Sequence, residues 1–358
     1  MTFERAAYVF GSPDATVVGM LPSRDRASLA WVARREAARW RARGNAIRLP
    51  AAVLRPGGAK TRLSRWLRGG VIVTRGPRRL DAVCDAAGVR GVVSVGTGGG
   101  VVVIGEAAVL RAGQAGTPAD PVVERDALGA LASRAVPVPS VLASGVVDGV
   151  SWCSETRLAG ERPVAVDDGL ATSVVEVLGR FPAGAAASGA LSLDAATVCG
   201  AIPALAGGVG SLAARAADAL ASLPGVGRHG DLWAGNLLVD AHGALTGIID
   251  WDAFSLEGAP GADLVQLVAT ELRLDDRLPT GAALLRRPQH SPRFASLAAP
   301  YWAARELEPP TDDQLDAIAI AWWLTEMANS VRRIPSFATD AAWVDVNVVQ
   351  VLAGLRRR

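Results

Sequence analysis

The stretch NLLVDAHGALTGIIDWD, residues Asn236–Asp252, restricts the fold more than any other part of this chain. Two short apolar runs flank DAHG, the pattern of a tight β-hairpin. The surroundings read differently. Helical periodicity predicts helices over 167–180, 194–222, 262–272, 294–306, 312–332 and 339–356. A lone hairpin inside a helical region brings its two flanks together. Those flanks carry Asn236 and Asp250, 14 residues apart.

The first half has another rhythm. RLDAVCDAAGV reads as a short helix, and GVVSV, VVVIG and AAVLRAG read as three short strands in a meander. DPVVERDALGALASRAV (Asp120–Val136) opens with a capping residue and a proline just inside, so it reads as a helix. Two more strands follow in PVPSVLASGVVDGVSWCSET. The chain therefore divides into an extension (1–78), a small β-rich lobe (79–156) and a larger helical lobe (157–358), an α+β arrangement. Within the extension, Ala27–Gly44 reads as a helix and VIVT (71–74) as a strand.

Charge follows this division. Residues 1–90 carry 18 Lys+Arg against 6 Asp+Glu, and residues 91–358 carry 19 against 29. Only one basic residue is a lysine, Lys60, so Arg stands wherever a cation is needed. Three scattered cysteines form no CxxC pair and no disulfide framework. The first residues lack the apolar core of a signal peptide and no long apolar run suggests a membrane span, so the expected location is cytoplasmic.

Chemistry is concentrated in RHGDLWAGN, residues 228–236. Four residues separate Asp231 from Asn236, the spacing of the loop with which protein-kinase-like enzymes transfer phosphoryl groups. There the Asp faces the acceptor hydroxyl and the Asn holds Mg²⁺ through a hard oxygen ligand. Asp250, at the end of the hairpin, can reach the same ion. Taken singly, each motif also fits a polar turn that satisfies its own backbone. Joined by a hairpin of this length, they are far more specific.

Together, HGDLWAGNLLVD and GIIDWDAFSLEGAPGADL resemble the aminoglycoside phosphotransferase/choline kinase family, small-molecule kinases with a protein-kinase-like fold. The resemblance spans roughly residues 79–358 and is strongest over 228–270. It implies ATP and Mg²⁺ as cofactors and the hydroxyl of a sugar, amino sugar or amino alcohol as acceptor. By this likeness Asp231 is the catalytic base or orienting carboxylate, and His229 braces the catalytic loop. Asn236 and Asp250 are metal ligands, and an Asp263-Leu264 pair opens a helix. The likeness also demands a cation on the third strand of the small lobe and a Glu on the next helix to hold it. Arg111 and Glu124 stand there, where a surface ion pair is the alternative. Gly96 and Gly98 of GTGGG would cover the phosphates, although the spacing is not G-x-G-x-x-G. Backbone groups around Cys153 and Glu155 would bind adenine.

Other chemistries find little support. The three histidines have no zinc spacing, and no G-x-S-x-G elbow is present. GGAKTRLS lacks the glycine that a Walker A loop needs before Lys60. Trp322 and Trp323 recur with Leu315, Ile318 and Met327 at core-forming helical spacing. The acidic runs LRLDD and ELEPPTDD, with Asp316, read as solvated faces before they read as a site for a cationic acceptor. The basic extension, with Trp31, Trp40 and Trp66, reads as a structural addition ahead of a nucleic-acid or anionic-surface binder. A nucleotide-binding scaffold without transfer activity is the competing function.

Overall fold

A computed structural model describes residues 79–95, 100–117 and 119–356. The predicted helix over 27–44, the strand over 71–74 and the glycines Gly96 and Gly98 lie outside the described residues.

The chain divides into two compact units. Among the described residues, the first comprises 79–122 and 141–157, and the second comprises 123–140 and 158–356.

The first unit begins with helix α1 (Arg79–Ala87). Strands β1 (Val92–Val95), β2 (Val101–Ile104) and β3 (Ala108–Gln114) follow as an antiparallel meander. After helix α2 (Val122–Leu131), strands β4 (Val141–Val147) and β5 (Val150–Thr156) complete a five-stranded sheet of order β1-β2-β3-β5-β4. This order of helix, three strands, helix and two strands is the one the sequence predicts. Val83 and Cys84 of α1 pack with Val103, Leu110, Ala112 and Trp152 to form the core of this unit. Successive strand residues face opposite sides of a sheet. Leu110 and Ala112 therefore face this core, and Arg111 faces away from it.

Helix α2 packs with the second unit, where Ala127, Leu128 and Leu131 join the larger core. Helix α3 (Asp168–Gly179) is capped by the Asp167 carboxylate, which accepts from the Leu170 N–H. Strand β6 (Ala183–Ala186) leads to α4 (Ser188–Ala201) and α5 (Ala206–Leu220). The sequence pattern reads the last two as one helix over 194–222. The break falls at Ile202–Leu205, where Pro203 opens a single 3₁₀ turn, because proline offers no N–H to continue the ladder.

Strand β7 (Pro224–Arg228) runs into the predicted catalytic loop, which ends in a 3₁₀ turn at Ala234–Asn236. The hairpin is present as β8 (Leu237–Val239) and β9 (Leu245–Ile248). Its turn is closed by the Asp240 carboxylate, which accepts from the N–H groups of His242 (2.8 Å) and Ala244 (3.0 Å). Strand β10 (Ser255–Gly258) pairs with β7 in a small sheet of order β10-β7-β6. Helices α6 (Ala262–Asp275), α7 (Thr280–Leu285), α8 (Pro292–Ala304) and α9 (Asp312–Arg333) follow. The last segment is α10 (Ala341–Val344), a π-turn and α11 (Gln350–Arg356). Trp322, Trp323, Ile318 and Met327 of α9 are buried in the core, as their spacing predicts. A capping box of Thr311 and Gln314 starts α9. Among the described residues no single helix is long and apolar enough to cross a membrane.

Candidate active site

The predicted catalytic loop is fixed before it begins. Arg228, the last residue of β7, is buried and ion-paired to Asp194 of α4 at 3.2 Å. Asp194 also accepts from the Thr325 hydroxyl at 2.8 Å and from Arg332 at 3.1 Å, both on α9, and Arg228 donates to the Thr325 oxygen. The entry strand is thereby tied to two helices by a buried polar network.

The turn itself is clamped by Asp263, near the start of α6 and 6% exposed. One carboxylate oxygen accepts from the His229 N–H at 2.7 Å, the other from the Gly230 N–H at 2.9 Å. The sequence offers Asp263 only as the start of a helix, not as the clamp of a turn more than thirty residues upstream. Gly230 has φ +78°, and a Cβ there would lie 2.3 Å from the Ala253 carbonyl oxygen, so only glycine fits.

His229 is fully buried, and both its ring nitrogens are engaged. Nδ1 accepts from the Asp231 N–H at 3.2 Å, which makes Nε2 the protonated nitrogen; Nε2 donates to the Ile249 carbonyl at 3.1 Å. Burial pushes its pKa down, so the imidazole is neutral. Its ring also packs against Trp251, with centroids 4.4 Å apart. His229 thus joins the loop to the end of the hairpin.

The Asp231 side chain meets three groups. Gln266 of α6 donates to Oδ1 at 3.2 Å, Asn236 donates to Oδ2 at 3.4 Å, and Arg333 Nη1 lies 4.0 Å from Oδ2. Gln266 also donates to Glu326 of α9 at 3.3 Å, and Arg333 donates to Asp252 at 2.8 Å. Burial pushes the Asp231 carboxyl well above its ordinary range, nearby Glu326 adds to this, and Arg333 opposes it. Burial raises Glu326 in the same way, against the pull of Arg273, Arg333 and Arg228. Burial also works against the charge of Arg333, but Asp252, Asp231, Asp250 and Glu326 outweigh it and hold the guanidinium protonated. Gln266, Glu326 and Arg333 carry no motif spacing, whereas Asp252 closes the GIIDWD motif. In sequence, Arg332 and Arg333 read only as cations suited to a helix C-terminus.

Asn236 and Asp250 flank the hairpin as expected. The Asn236 amide nitrogen donates to the Asp231 carbonyl at 2.8 Å, and the Asn236 carbonyl accepts from Ile249 at 3.0 Å. Commitment of the nitrogen leaves the amide oxygen as the group Asn236 can offer a cation. Asp250 has φ +72°, a left-handed conformation rare outside glycine. This strain falls at the residue that the resemblance expects to be a metal ligand. A pair of hard oxygen ligands suits Mg²⁺, which keeps several waters and takes few protein ligands. Among the described residues, no group of three or more His, Cys, Asp and Glu side chains forms a metal cluster.

In the first unit, Arg111 donates to Glu155 at 3.3 Å. Cys153, around which with Glu155 the resemblance expects adenine to bind, is the register partner of Arg111 in the sheet. Both Cys153 and Glu155 lie inside β5, between β3 and β4, and their backbone is committed to the sheet ladder. The Glu155 carboxylate holds Arg111. Glu124, in the second unit, accepts from the Trp251 N–H at 3.2 Å. Asp316 is occupied by Arg287, Gln289 and His290 at 2.7–3.0 Å, consistent with a structural role.

A small antiparallel sheet, a helical unit with one hairpin and a carboxylate–asparagine loop define a phosphotransferase of protein-kinase-like fold. The chain belongs to the APH phosphotransferase enzyme family, whose model matches residues 86–299. Among solved structures, a Ralstonia eutropha protein provisionally described as an aminoglycoside phosphotransferase matches with a TM-score of 0.50 and 16% identity, covering 78% of this chain and 95% of that one. Aminoglycoside phosphotransferase APH(3'')-Id of Streptomyces rimosus matches with a TM-score of 0.49 and 20% identity, covering 69% of this chain and 96% of that one. That enzyme has also been solved with ADP and streptomycin. The Ralstonia match is a likeness of fold. No curated protein matches the chain in sequence.

Proposed function

We propose that this protein is an ATP- and Mg²⁺-dependent kinase that phosphorylates a hydroxyl of a small molecule, a sugar, amino sugar or amino alcohol, in the cytoplasm. One observation carries the reading. Asp231 and Asn236 share a single clamped loop, and the adjoining hairpin returns Asp250 to it through the Ile249–Asn236 hydrogen bond. In this reading the acceptor oxygen attacks the γ-phosphorus, and its proton passes to Asp231. The bond to the β,γ-bridging oxygen breaks, and its electron pair leaves with ADP. Asn236 and Asp250 would hold Mg²⁺, which when bound neutralises phosphate charge. Arg111, oriented by Glu155, would contact the nucleotide phosphates. His229 holds the loop and exchanges no proton, because both its nitrogens are engaged.

The test is ATP consumption by the full chain against a panel of hydroxyl compounds, with Mg²⁺ or with a chelator. Turnover should require Mg²⁺ and should fall about 10²- to 10⁴-fold in Asp231→Ala, while nucleotide binding persists. Equal turnover in that variant would overturn the assignment of Asp231. Nucleotide binding without turnover on any acceptor would favour the scaffold reading.

A further inference from the structure

Arg333 has a place at the site that structural packing does not explain. It is the last residue of α9, and its side chain is 28% exposed. Its only hydrogen bond among the described residues goes to Asp252, at 2.8 Å. A guanidinium carries five N–H donors in a planar fork. Here one is anchored, and Nη1 stops 4.0 Å short of Asp231 Oδ2. That separation is too long for a hydrogen bond. An oxygen atom about 2.8 Å from each atom would close the triangle, with an angle near ~90° at that oxygen. The catalytic loop supplies no cation of its own, since Leu232, Trp233, Ala234 and Gly235 separate Asp231 from Asn236. Phosphoryl transfer spreads negative charge over the moving group, and a planar fork of donors matches that charge better than a point charge does.

We propose that Arg333 is a catalytic residue that donates hydrogen bonds to the phosphoryl group and the attacking oxygen during transfer, and that Asp252 is the residue that positions it. The proposal rests on the kinase reading above. The transfer is the one already written: the acceptor oxygen–phosphorus bond forms, the bridging P–O bond breaks toward ADP, and the proton goes to Asp231. Arg333 keeps its protons throughout and binds the group in flight.

The experiment needs no acceptor, because water takes its place. ADP binding to the full chain is measured by calorimetry with Mg²⁺, with and without aluminium fluoride, which mimics the phosphoryl group in transfer. Wild-type protein should bind ADP more tightly when aluminium fluoride is present. Arg333→Ala should bind ADP alone like wild type and lose that tightening. Arg333→Lys, which keeps the charge and loses the fork, should recover only a small part of it. Asp252→Ala should weaken the tightening and spare ADP binding, a pattern that simple loss of folding cannot produce. Slow ATP hydrolysis should fall about 10³-fold in Arg333→Ala. If Arg333→Ala keeps the full tightening, or Arg333→Lys matches wild type, Arg333 only neutralises the carboxylates around it and the inference fails. The inference fails equally if wild-type protein binds ADP without any tightening. If wild-type protein binds no ADP at all, the kinase reading fails as well, and the two failures are distinguishable.

Discussion

Replacing Asp263 tests the construction of the proposed catalytic loop most directly. Its two carboxylate oxygens accept from the N–H groups of His229 and Gly230 at 2.7 and 2.9 Å, in a setting 6% exposed. Asp263→Ala leaves two buried N–H groups without partners. Hydrogen bonds to a charged acceptor contribute about 1.5–3 kcal/mol each, so the loss should be about 3–6 kcal/mol. The Asn variant is more informative. Its amide has one oxygen, so it can accept from one N–H while its NH₂ opposes the other, and about half the loss should remain. Native domains have only about 5–15 kcal/mol in total, so both variants should unfold at visibly lower denaturant. Urea titration followed by tryptophan fluorescence measures this. Turnover should fall with stability, because displacing Asp231 by about 1 Å costs on the order of 10²-fold. An Asp263→Ala protein within about 0.5 kcal/mol of wild type would show that the clamp does not hold the loop.

Two further outcomes follow from the same site. Asp231 and Glu326 have raised pKa values, so their contribution to stability is complete below the ordinary carboxylate range and is lost as pH rises through the raised values. Melting temperatures of wild type and Glu326→Gln between pH 4.5 and 8 should therefore favour wild type most at the acid end, with the difference shrinking or reversing toward neutrality; a constant difference would contradict the assignment. Removing Asp194 strands the buried Arg228 charge, so Asp194→Ala should cost about 3–5 kcal/mol in chemical denaturation, and a loss below about 1 kcal/mol would mean that solvent reaches Arg228 freely.

Much of this architecture is written locally, and part of it is not. The meander, the hairpin and the long C-terminal helices follow from alternation, turn residues and helical spacing. Strands β6, β7 and β10 escape such reading, because AGAA and PGVGR are too small and glycine-rich to alternate. The same divide runs through the site. Asp231, Asn236 and Asp250 are legible because a loop and a hairpin fix their spacing. Gln266, Glu326 and Arg333 arrive from helices 35 to about 100 residues downstream, and nothing in their own neighbourhoods marks them. Glu155 is a different case. The resemblance speaks only of the backbone around it, whereas pairing of β3 with β5 brings its side chain to Arg111.

Helix α9 works as a ruler. Its 22 residues span about 33 Å. It is pinned by its capping box at one end, and along its length Thr325 and Arg332 meet Asp194, Glu326 meets Gln266, and Arg333 meets Asp252. A single inserted residue between Thr325 and Arg333 would turn everything beyond it by about 100°, swinging Arg333 away from Asp231. The irregular segment over 305–311 has no such phase to keep. Length variation among relatives should therefore collect before Thr311 and be absent after Thr325, so that insertions and deletions, rather than substitutions, would trace the reach of the active site along this helix.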